Sequence, residues 1–201
     1  MSGALRDSTS GVLAGFYGKL PARGDFVRAG LPRDFTDKWD DWLQSVIAGS
    51  RDLMGEAWLP AFLEAPIWRF ALSAGLCGAH AACGLFLPSV DKAGRYFPLT
   101  FAALHDDGIG AADTVPISTW LDRCEAAGLA ALEDDAPPEQ ILAMLGVPDP
   151  PPSTAGSAGS LWWCAGSPRV KANRVALPGM PDSAFFASML ADEPNHGEPT
   201  P

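Results

Sequence analysis

Apolar and polar positions recur along this chain with two periods. Phe35, Trp39, Trp42, Leu43, Val46 and Ile47 return at helical spacing, while Asp37, Lys38, Asp40, Asp41 and Gln44 fill the other face; this is the stripe of an amphipathic helix. The spacing predicts a helix from about 35 to 48, with Asp34 or Thr36 as its N-cap. A second helical piece is expected after Ser50, with Leu53, Met54, Ala57 and Trp58 inward and Pro60 either ending it or opening a further turn. Elsewhere the period is two, or the run is continuously apolar. Strands are expected at 14–20, at 67–74 with Trp68, Phe70 and Leu72 on one face, at 82–88 and at 98–104. The last three read as an antiparallel meander, with a polar turn at 89–97.

Further helices are predicted at 118–132 and 138–145, the second with Pro138 where helix starts favour it. The run 147–160, VPDPPPSTAGSAGS, is expected to be a flexible linker rich in Pro, Gly and Ser. A strand at 161–165, a short run near Val175, a PGMP turn and a helix at 183–191 follow, with Phe185, Phe186, Met189 and Leu190 inward. Some forty residues rarely sustain a core of their own, so this piece should pack back onto the same sheet. The expected organisation is a flexible start at 1–13, a single α/β (α+β) domain at 14–191 containing the linker 147–160, and a disordered tail at 192–201.

Charge narrows the partners. The net charge is −10 with only 14 Lys and Arg, the opposite of the basic footprint that nucleic acid or an anionic membrane requires. Between Leu104 and Asp149 the only Lys or Arg is Arg123, which reads as a solvated acidic face. The uncharged stretch 70–90 is interrupted by His80, Pro88 and three Gly, so it suits a buried hairpin better than a membrane span. The start of the chain lacks the basic and apolar regions of a signal peptide, and a cytoplasmic location is expected.

Candidate chemistry is sparse. Cys77, His80 and Cys83 are three residues apart, and Cys124 or Cys164 could complete a zinc site, but small thiols among Ala and Gly read more simply as core. The chain has no nucleophile elbow, dinucleotide turn or phosphate loop, His105 beside Asp106 forms no triad, and no cofactor is expected. What stands out is two polar segments on apolar strands, 18–26 and 88–100. Asp91 and Arg95 flank Gly94 at a spacing that lets a tight turn pair them, and Ser89 can bond the turn's backbone. Lys19, Arg23 and Asp25 would form a second cluster beside them if the first strand pairs with the meander. Three readings follow. In the first the loops present a protein-binding surface with Trp39 or Trp42 nearby; in the second they receive a small anion on Lys19, Arg23 and Arg95. A third use, acid–base catalysis by Asp25 and Asp91, needs both carboxylates in one cleft.

Three ordered segments carry a resemblance: GFYGKLPARGDFVRAGLPRDFTDKWDDWL at 15–43, APIWRFALSAG at 65–75 and LPSVDKAGRYFPLT at 87–100. Together they resemble the TagF (ImpM) family associated with bacterial type VI secretion, over roughly the first half of the chain. The resemblance implies a longin-like fold, an antiparallel sheet flanked by helices. It also implies a cytoplasmic, non-enzymatic repressor that acts after translation by engaging the forkhead-associated protein of the secretion system. Some relatives carry a phosphatase domain; this chain stops at Pro201, and that activity is not expected of it.

Overall fold

The computed structural model describes residues 12–105, 119–134, 136–148 and 159–192. All but the last two residues of the expected flexible start, most of the expected linker and nearly all of the expected tail fall outside them, and Leu13, expected in the flexible start, instead opens the first strand. Seven strands form one antiparallel sheet: β1 (Leu13–Gly18), β2 (Val27–Ala29), β3 (Trp68–Leu72), β4 (Ala81–Leu87), β5 (Leu99–His105), β6 (Ser160–Cys164) and β7 (Asn173–Leu177). Their spatial order is β2-β1-β5-β4-β3-β6-β7. The meander β3-β4-β5 is therefore present, extended on one side by β1 and β2 and on the other by β6 and β7. Strand β6 pairs with β3, Trp162 opposite Phe70, so the residues after the linker do join the same sheet.

Helices cover both faces. On one lie α1 (Arg33–Met54), α2 (Trp58–Leu63) and α5 (Ser183–Leu190); on the other lie α3 (Thr119–Glu133) and α4 (Pro138–Leu145). Strand alternation sorts the side chains between the two cores. Trp68, Phe70, Leu72, Phe86 and Trp162 meet Trp39, Leu43 and Phe186 on the α1 side. Phe16, Leu85, Phe101 and Trp163 meet Trp120, Leu121 and Cys124 on the α3 side. Burial on both faces explains why β4 and β5, with every residue buried, read as continuous apolar runs rather than alternating ones.

Four expectations are corrected. Helix α1 does not stop at 48 but runs 22 residues to Met54. Ser50, which resembles a break, is buried inside it, donates to the Ile47 carbonyl (3.1 Å) and accepts the Trp58 indole N–H (2.9 Å). The helix ends at Gly55, whose φ of 54° only glycine adopts easily. Its N-cap is Pro32, with no side-chain cap; Asp34 instead favours the dipole from within the first turn. Leu53 is 63% exposed beside α5, and Ala57 is exposed as well. Ser160 belongs to β6 rather than to a linker, and the short strand β2 was not anticipated.

Candidate functional site

Strand β1 lies beside β5, Tyr17 opposite Thr100, and this pairing sets the 18–26 loop against the β4–β5 connection. Within that connection, Gly94 has a φ of 80°, which lets the chain reverse between Asp91 and Arg95. The Gly94 amide donates to the Asp91 carbonyl (2.9 Å), and the Asp91 amide to the Arg95 carbonyl (3.1 Å).

The Asp91 carboxylate is the hub. Its Oδ1 accepts from the amides of Ala93 and Arg95, each at 2.9 Å. Its Oδ2 accepts from Lys19 Nζ at 2.7 Å and Arg95 Nε at 2.6 Å. Burial opposes its ionisation, but the Lys19 ammonium and the Arg95 amide and guanidinium outweigh that and hold the carboxyl well below the usual carboxylate range. Around this hub the loops are tied by backbone. Lys92 N–H donates to the Arg23 carbonyl (2.9 Å), the Arg95 guanidinium to the Gly24 carbonyl, and Ser89 Oγ to the Lys19 carbonyl (2.7 Å).

The candidate residues divide by depth. Lys19, Ser89 and Asp91 are buried at 5%, 6% and 3% exposure, so they brace the loops. The Arg95 side chain is 58% exposed and Asp25 is exposed, while Arg23 is half-buried. Trp39 does not belong to this surface at all. It is fully buried, donates to Thr100 Oγ1 (2.9 Å) and lies 4.7 Å from the Phe70 ring. Trp42 is half-buried and its indole donates to the Pro181 carbonyl (2.8 Å), so it ties α1 to the turn before α5. One participant escaped the sequence reading. Phe26, 44% exposed, stacks on Tyr17 at 5.4 Å and lies under Lys19 Nζ at 4.9 Å. An aromatic residue amid loop charges was the available signal.

Chemically this arrangement is closed. Asp91 spends both oxygens on four donors and stays ionised, so it offers neither a proton nor a free lone pair for acid–base work. Lys19 and Arg95 both pair with this one carboxylate, so an added anion would compete with an internal carboxylate for their donors. The cysteines are divided by the sheet. Cys77 and Cys164 are buried on the α1 side, Cys83 and Cys124 on the α3 side, and no metal-binding group of three or more His, Cys, Asp or Glu occurs among the described residues. Burial pushes the Cys77 and Cys83 thiols up to about 12, which makes them core thiols rather than nucleophiles. No helix of the described residues is long and apolar enough to cross a membrane.

Fold and site together define a single α+β domain that presents charged loops braced on a rigid antiparallel sheet. Residues 15–146 match the family described as TagF N-terminal domain, type VI secretion system-associated, and the chain belongs to that family. Among solved structures, the crystal structure of PA0076 from Pseudomonas aeruginosa PAO1 at 2.05 Å resolution is similar, with a TM-score of 0.78 and 35% identity over 94% of this chain and 98% of that one. No curated protein matches the sequence.

Proposed function

We propose that the protein is a cytoplasmic, non-enzymatic repressor of a type VI secretion system, acting by contact with another component, the forkhead-associated protein of that system. Family membership supplies the system. The observation that carries the mode of action is the Asp91 hub. Three of its donors close the 91–95 turn and the fourth, Lys19, is 72 residues away in sequence. With the Ser89–Lys19, Lys92–Arg23 and Arg95–Gly24 bonds it fixes the two loops together, yet Arg95, Lys92, Asp25 and Phe26 stay at the surface. Such a face is ordered before a partner arrives, so less entropy is lost on binding. The same closure argues against catalysis and against an anion sensor built on Lys19, Arg23 and Arg95.

Co-purification with the forkhead-associated protein tests the partner, and secretion measured on deletion and overproduction tests the repression. Absence of a complex together with unchanged secretion would overturn the reading. Arg95→Ala separates its parts. The guanidinium is over half exposed and its contribution to stability is small, so the variant should melt within a few degrees of wild type while complex formation weakens roughly tenfold, about 1.4 kcal/mol. If it unfolds instead, Arg95 is structural and the contact surface lies elsewhere.

A further inference from the structure

The sheet has two edges, and they differ. Strand β2 is three residues long and packs beside α4. Strand β7 has five residues and, among the described residues, pairs only with β6. The Arg174 amide donates not across to β6 but to Asn173 Oδ1 (2.7 Å). The alternation of an antiparallel ladder then turns the N–H and C=O groups of Arg174 and Ala176 away from the sheet. On the other register, the Leu177 carbonyl sits against Gly159, on the β6 side, as this requires. Both Arg174 and Ala176 are exposed. Hence β7 offers a strand-length row of backbone donors and acceptors, with one amide satisfied by a short side chain that a competing strand displaces.

The charge at this edge is unlike that of the rest of the molecule. In a chain of net charge −10, residues 161–181 contain no Asp or Glu but carry Arg169, Lys171 and Arg174. Arg169 is paired with Glu64 (2.7 Å). Asp192 accepts the Lys171 backbone amide (3.0 Å), and the Lys171 and Arg174 side chains stand exposed. Edge strands are commonly guarded by such cations against pairing with their own kind. Here they also select for the opposite charge, since a second copy would bring the same cationic segment against itself.

We propose that β7 is a docking edge that accepts an extended acidic segment of a partner protein as an eighth strand, bonded to the backbone of Arg174 and Ala176 and charge-matched to Lys171 and Arg174. This mode of strand addition takes affinity from main-chain bonds and selectivity from side chains. It goes beyond the regulatory reading above and does not depend on who the partner is.

The test uses the full chain and two synthetic peptides, one alternating Glu and Val and one alternating Lys and Val, read by amide hydrogen exchange. The acidic peptide should slow exchange at Arg174 and Ala176 while the basic one does not, and the effect should weaken with added salt. Ala176→Pro removes the outward N–H while sparing the β6 ladder, a position where edge strands tolerate proline, and should abolish the protection. Arg174→Glu with Lys171→Glu should weaken acidic-peptide binding by roughly tenfold or more and, being exposed, should leave Tm nearly unchanged. No protection by the acidic peptide, or protection that survives both variants, would overturn the proposal. So would protection of the same amides that grows with protein concentration alone, which would assign the edge to a second copy.

Discussion

Asp91 concentrates the chemistry of the loops into one residue. Its carboxyl has an ordinary value of 3.8 and is held lower in the fold, so its ionisation stabilises the folded state at any pH above that ordinary value. The contribution is lost as pH falls through the lower, folded value. Asp91→Asn keeps the shape but leaves buried Lys19 without its counter-charge, and should lower Tm at neutral pH. The gap between wild type and variant should narrow steadily from about pH 5 to about pH 2. A gap independent of pH in that range would show that the turn's backbone, not the charge, was lost. Trp39 illustrates the opposite residue-scale lesson. Tryptophan is favoured at binding surfaces, but a Trp inside a helical stripe belongs first to the core. Trp39→Ala should cost about 3–5 kcal/mol in denaturant unfolding, a stability defect rather than a selective loss of binding.

Elements with one dominant period were legible in the sequence. Helix α4 occupies the range its Pro138 start and apolar spacing imply, and the meander follows from its three apolar runs. The Asp91–Arg95 turn was legible because a carboxylate, a glycine and a cation at that spacing leave few geometries. What escaped depends on tertiary contact. Strand β2 is too short to show a period and exists because β1 pairs with it. The run of α1 through Gly49 and Ser50 reads locally as a stop, and α5 and Trp58 make it a continuation. At Gly49 a Cβ would collide with the Ser183 side chain at the head of α5, so glycine is retained inside a helix despite its low propensity. Gly49→Ala should destabilise the protein by about 1 kcal/mol, since overpacking costs more than the helix propensity it recovers. Adding Ser183→Gly should return most of that loss. Equal stability of the single and double variants would place the constraint elsewhere.

At the scale of the whole molecule, the family match ends at residue 146, but the cores do not. Trp162, fully buried, packs between Phe70, Phe86 and Trp39 on the α1 side, and Trp163 closes the α3 side next to Arg69. Helix α5 is fastened at both ends. Its start carries Asp182 as N-cap, accepting from the Phe185 amide at 2.8 Å. Its end accepts the Trp68 indole N–H at the Met189 carbonyl, also 2.8 Å. Losing residues 159–192 would strip β3 of a neighbour and uncover Trp68, Phe70 and the side of α1 that faces α5. Each large side chain so exposed forfeits about 1.5–3 kcal/mol, and several such losses are comparable to the whole stability of an ordinary domain, about 5–15 kcal/mol. A chain truncated after Pro148 should therefore show no cooperative melting and a red-shifted tryptophan emission, while the full chain unfolds in a single transition seen alike by fluorescence and circular dichroism. A truncated chain that melted cooperatively would mean that the matched region folds by itself and that β6, β7 and α5 are an appendage. The packing of Trp162 between strand and helix argues that they complete both cores of one folding unit.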